Sequence, residues 1–138
     1  MKDVVAAIYT RLGSATGAGS FDALLGGRYY HVEAPQNTAF PMAVWTVEGV
    51  DNEDQFSGSR VLRGSLSFDI YCEAKGGAAV AMDIEEALFT LLDQQVLTVG
   101  GSTYGTATLQ CLARGMPAAS DEFIIITTTY SLFTTRIA

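Results

Sequence analysis

The strongest regularity in the chain has a period of two. In "RVLRGSLSFDIYCEA", which begins at Arg60, Leu62, Leu66, Phe68, Ile70 and Cys72 alternate with Arg63, Ser65, Ser67, Asp69, Tyr71 and Glu73. Side chains of a strand point to opposite faces in turn, so this row predicts a long antiparallel strand with one dry and one wet face. Gly64 interrupts the dry row and is expected to mark a bulge. A second strand is expected from about Met42 to Gly49, a third from about Thr103 to Arg114 and a last from about Glu122 to Arg136. "RYYHVEA" reads as a short strand before them. The last strand, with "FIIITTTYSLFTT", carries apolar residues on both faces, which fits either a central place in the sheet or a face against another subunit.

Between the strands the period changes. Val5, Ile8, Tyr9 and Leu12 recur at helical spacing and predict a helix over about Lys2 to Leu12, ended by Gly13. "GSATGAGS" reads as a flexible link. Ser20 can cap a short helix through Leu25, which Gly26 and Gly27 close. Ala81, Ile84, Leu88, Leu91 and Leu92 predict a further helix from about Ala78 to Gln94, with Asp83, Glu85, Glu86, Thr90 and Asp93 on its wet side. The order of elements argues one α+β domain over residues 1–138. Its sheet is antiparallel, with room for mixed pairing, and is packed on one face by two α-helices.

Two loops stand out. Ala34 and Phe40 each precede a proline and are pushed toward extended backbone. Pro35 to Pro41 is therefore expected to be a stiff crossing loop that presents Gln36 to Phe40 to a neighbour, with Pro41 at the start of a strand where a missing N–H is tolerated. "DNEDQFSGSR", from Asp51 to Arg60, is expected to be a polar loop with its tip at Ser57 and Gly58. It is long for a hairpin connection, and it mixes Asp51, Asn52, Glu53 and Asp54 with Gln55, Phe56 and Arg60. That mixture suits a partner interface with one aromatic anchor in a polar rim.

Composition narrows the function classes. Fifteen acidic against eight basic residues give a net charge of −7, opposite to the basic footprint of a nucleic-acid reader. Cys72 and Cys111 make no disulfide framework and read as buried thiols, although neighbouring strands could bring them face to face. The N-terminal residues lack the pattern of a signal peptide, and no apolar run approaches the ~18 residues of a membrane span, so a cytosol-like setting is expected.

The chain carries no recognisable catalytic pattern. His31 is the single histidine, with no nucleophile pattern around it. "GSATGAG" superficially matches a dinucleotide loop, but a helix rather than a strand precedes it. Asp51, Glu53 and Asp54 would suit a hard cation, yet Phe56 stands where an EF-hand needs glycine. No catalytic residue, metal ligand or cofactor follows from the residues.

The arrangement does resemble a known family. "GGRYY" (Gly26 to Tyr30), "APQ" (Ala34 to Gln36) and "FP" (Phe40 and Pro41) are followed by "LSFDIY" (Leu66 to Tyr71), with Asp69 in the strand. In this order and spacing the chain resembles the tail terminator, or tail completion, proteins of long-tailed bacteriophages over nearly its whole length. The glycine-rich link from Gly13 to Gly19 departs from the short polar turn expected there. The resemblance implies a non-enzymatic virion protein without cofactors, assembled in the host cytoplasm and placed in the tail or neck. It implies a hexameric ring that caps the tail tube, ends its polymerisation and offers the head-joining surface. Its partners would be itself, the major tail tube protein and a head–tail connector or neck protein, with genomic DNA passing through unbound. Asp83, Glu85, Glu86 and Asp93, or Asp51 to Asp54, are then candidates for an acidic lumen that repels phosphate. The rival readings are another neck, connector or head-completion protein and, in a different class, a small ferredoxin-like ligand-binding protein or enzyme.

Overall fold

The computed structural model describes residues 2–54, 60–100 and 104–136. Along the chain lie α1 (Lys2–Leu12), α2 (Phe21–Leu25), β1 (Tyr29–His31), β2 (Met42–Asp54), β3 (Arg60–Glu73), α3 (Gly77–Leu92), β4 (Gln95–Thr98), β5 (Tyr104–Ala113), β6 (Ala118–Ala119) and β7 (Phe123–Arg136). They form an α+β domain with one sheet in the order β1-β2-β3-β7-β5-β4, and β6 pairs with β7 beyond the end of β5. Every pairing is antiparallel except that of β1 with β2, which is parallel.

The alternation in β3 has the expected consequence. Leu66, Phe68, Ile70 and Cys72 are buried, and they face a row on β7 of Ile124, Ile126, Tyr130 and Leu132. Trp45 from β2 and Leu109 from β5 extend this layer, and the three helices lie over it. β7 lies between β3 and β5; one of its faces enters the core, while on the other Phe123 and Ile125 are half-buried and Phe133 is exposed. Its buried Thr128 and Thr134 stand beside two register shifts in β5. There their hydroxyls donate to carbonyls that the ladder misses, Thr128 to Ala113 at 3.0 Å and Thr134 to Thr106 at 2.8 Å. Each buried hydroxyl thereby escapes the cost of an unmet hydrogen bond.

Several expectations are corrected. The dry face of α1 is Val4, Ile8 and Leu12, whereas Tyr9 is 48% exposed. The helix is rolled because its axis is set by packing beside β4 and β5 rather than by its own apolar maximum. The irregularity expected at Gly64 lies across from it: two residues of β2, between Glu48 and Asp51, oppose one of β3. β2 also runs further than expected. Asp51, Asn52, Glu53 and Asp54, expected in a loop, are paired strand residues with Arg63, Leu62, Val61 and Arg60 opposite. β4 has no counterpart in the sequence reading, being four residues long in a stretch that reads as helix end and turn. Cys72 and Cys111 are both free. They sit on opposite sides of β7, paired with Ile124 and Tyr130, which separates them by six positions, or about 20 Å along the strand.

Candidate interaction surfaces

The segment that carries the family resemblance is one mechanical unit. Ser20 caps α2 by accepting from the Ala23 N–H, and Gly26 ends it in the left-handed region at φ 58°. The N–H groups of Gly26 and Gly27 close the last turn onto Ala23 and Asp22. A side chain at position 26 would collide with Arg28, whose Nη1 lies 2.8 Å from where a Cβ would stand. Arg28 folds back over this glycine, and its Nε donates to the Pro41 carbonyl at 3.0 Å. The Ala43 N–H donates to the Arg28 carbonyl at 3.0 Å. One arginine thus ties the end of α2 to the start of β2 across the crossing loop. Tyr29 adds a second tie by donating to Asp22 at 2.9 Å; burial and this hydrogen bond push its hydroxyl pKa up to about 12.

Within the loop, Pro35 and Gln36 are exposed, and the Thr38 hydroxyl donates to the Pro35 carbonyl. The Phe40–Pro41 peptide is cis. Phe40, at the end of the segment expected to face a neighbour, is turned partly inward. It is half-buried, edge-on to Phe123 at 6.3 Å, and Phe123 is edge-on to Tyr71 at 5.2 Å.

The four candidate lumen acids separate. Asp83 and Glu86 are exposed on α3. Glu85 is 6% exposed, not on the wet side. Arg114, which follows β5, grips both of its oxygens at 2.7 Å, reaches Glu86 at 2.7 Å, and lies 4.1 Å over the Phe89 ring. These carboxylates raise the Arg114 pKa further, so the cation persists at any working pH. Asp93 is the C-cap residue of α3 and accepts from the Cys111 N–H at 2.9 Å. The Glu85–Arg114 clamp was not foreseen because its partners are 29 positions apart and no local period links them. In the hairpin candidate, Asp51 to Asp54 and Arg60 hold the register given above, while Gln55 and Phe56 lie outside the described residues.

The sheet face away from the helices carries Thr46, Ser65, Ser67, Asp69, Thr127, Thr129 and Ser131, with the Thr127 hydroxyl donating to Asp69 at 2.7 Å. Phe133 lies toward one end of this face, with the Arg63 guanidinium 5.3 Å from its ring centre. The His31 ring lies against Trp45, 4.5 Å between centres and tilted by 40°. Among the described residues no three potential ligands gather to hold a metal ion, and no helix is long and apolar enough to cross a membrane. Burial pushes the Cys72 thiol up to about 11 and also raises Cys111, the reverse of what a reactive nucleophile needs. A cavity of about 510 Å³ lies between α1 and β4, lined by Ala6, Ala7, Arg11, Val96, Leu97 and Thr98 among others. Asp3, Thr10 and Ser14 also line it, and no hydrogen bond links that carboxylate to either hydroxyl.

No protein-family model matches the chain, and no curated protein matches it. Solved structures do. The chain is similar in fold to one from the virion of a native gene transfer agent particle, with a TM-score of 0.69 and 15% identity over 94% of this chain and 92% of that one. A second solved chain, which carries no functional name, aligns with a TM-score of 0.72 and 15% identity over 96% of this chain and 94% of that one. At this identity the likeness is one of fold, and it spans almost the whole of all three chains.

Proposed function

We propose that this protein is a structural subunit of a phage-type virion, and specifically that it closes the tail tube as a hexameric ring. The observation that carries the reading is the fold shared, nearly end to end, with a chain of the gene transfer agent virion. The motif resemblance from Gly26 to Tyr71 narrows it to the tail terminator role. The geometry described above agrees with work done by shape rather than by chemistry, as such a ring requires.

In this reading the ring stacks on the last ring of tail tube protein, stops its growth, and meets a connector or neck protein on its other side. DNA passes without being held. The net charge of −7 per subunit favours this, because a like-charged lumen repels phosphate. Asp83 and Glu86 are the exposed acids of α3 available for that wall; Glu85 and Asp93 serve inside the subunit.

Light scattering over a concentration series at two salt levels tests the ring. A hexamer, or a monomer passing to a hexamer, is the expected result. A stable dimer at every concentration would refute the proposal and favour a ligand-binding protein. The tube-capping role is tested separately by adding the protein to polymerising tail tube subunits: it should bind one tube end and halt elongation.

A further inference from the structure

We infer that subunits of the proposed ring join edge to edge, with β4 of one copy accepting β1 of the next as a parallel strand. The inference rests on the ring reading and names its contact.

The sheet ends in two short strands, β1 with three residues and β4 with four. Exposed edges are pairing sites unless proline, charge or a bulge blocks them. "YYH" and "QVLT" contain no proline and no acid, lysine or arginine. By contrast, the adjoining edge at Cys111 is blocked by the Asp93 carboxylate.

Direction favours a ring over a two-fold dimer. β1 is parallel to β2, and four antiparallel steps lead from β2 through β3, β7 and β5 to β4. Both edge strands therefore point the same way. Rotation about an axis running along the strands brings β1 of one copy beside β4 of another without inverting either, which is the heterologous, closing contact of a cyclic assembly.

The hydrogen-bonding groups also match. The Val99 N–H donates to Gly105 on β5. By alternation Leu97 and Gln95 also face β5, leaving the N–H and C=O of Val96 and Thr98 directed outward. On β1, the Val32 N–H donates to Trp45, and the Arg28 carbonyl accepts from Ala43. Tyr29 and His31 are therefore the outward residues. The His31 carbonyl is used by Glu33, and the Tyr29 N–H turns back to Gly27. What remains is the Tyr29 carbonyl and the His31 N–H, the two groups that a single residue of a parallel neighbour fills. Val96 or Thr98, set opposite Tyr30, supplies both.

The surroundings agree. Among the described residues, the two valines more than half exposed flank these edges: Val96 on β4 at 63% and Val32 after β1 at 60%. Val32 is held at φ 73°, a costly backbone for a β-branched residue. Glu33 beside it has no cationic partner among the described residues, and Lys2 on α1, the helix next to β4, has no carboxylate partner among them, whereas Arg11 is held by the Leu91 carbonyl and the Gln95 side chain.

Two experiments test this. Val96→Pro and Thr98→Pro each remove an outward N–H and no ladder bond within the subunit. Both should keep the melting temperature, and the one that lies opposite Tyr30 should stay monomeric where the native chain assembles. Cysteine placed at Tyr30 together with cysteine at Val96 or Thr98 should oxidise into a covalent ladder that closes at the ring number, with each single variant remaining uncrosslinked. Crosslinking of the β4 single variant alone would mean two-fold β4 pairing and would overturn the inference. Native rings that form without either double variant crosslinking, and that survive both proline variants, would overturn it while leaving the ring itself intact. A native chain that never forms a ring would instead overturn the reading on which it rests.

Discussion

Replacing Arg114 by alanine leaves Glu85 as an unpaired carboxylate that is 6% exposed and loses three bonds of 2.7 Å, two to Glu85 and one to Glu86. Removing one partner of a fully buried pair costs about 3–5 kcal/mol. The Arg114 side chain is itself 38% exposed, so water can reach part of the vacated space, and about 2–3 kcal/mol is the reasonable expectation. For a chain of 138 residues this lowers the melting temperature by roughly 7–10 °C. The assay is thermal unfolding followed by circular dichroism at pH 7, read beside two controls. Glu86→Gln removes only an exposed partner, 69% accessible, and should cost no more than about 0.5 kcal/mol. Arg114→Leu combined with Glu85→Leu removes both charges and should recover most of the loss, because no buried carboxylate is left orphaned. If Arg114→Ala melts with the native protein, or if the double variant is as unstable as the single, the clamp does not hold the end of β5 to α3 and the reasoning fails.

Arg28→Lys keeps the charge but loses the Nε bond to Pro41; it should cost about 1–2 kcal/mol in urea unfolding, and native stability in this variant would show that the tie across the crossing loop is idle. Gly115→Ala would put a Cβ 2.0 Å from the Thr127 carbonyl oxygen, a backbone atom that cannot step aside; a loss of about 1–3 kcal/mol or more is expected, and a melting curve that coincides with the native one would contradict the close approach. Burial lifts the Cys72 thiol from 9.0 to about 11, so the folded state holds this proton more tightly than the unfolded chain. Its contribution is complete below about pH 9 and falls by about 2–3 kcal/mol as pH rises through about 11; Cys72→Ala should flatten that part of the profile, and a profile that keeps its slope would exclude this thiol as the cause.

Sequence period alone determined the strands whose two faces differ and the helices whose stripes are continuous. β3 was legible because Leu66, Phe68, Ile70 and Cys72 face one solid layer without interruption. α2 was legible because Ser20 and the Gly26–Gly27 pair are local signals that act within a turn or two. The motif from Gly26 to Pro41 could likewise be recognised as a unit, since its residues are close in sequence.

Tertiary structure decided the rest. Only the neighbours on either side of β7 fixed it as a central strand. The hairpin extended through Asp54 because ladder bonds form between any backbones in register, so polar composition in "DNED" did not prevent pairing. β4 was invisible because four residues carry too little period to read. Glu85 reads as solvated from its place beside Glu86, yet it is buried because a guanidinium arrives from just past the end of β5, 29 residues away. The matched edges of the sheet belong to the same class. They follow from the order and direction of the strands, which pairing at long range sets and no short stretch of sequence contains.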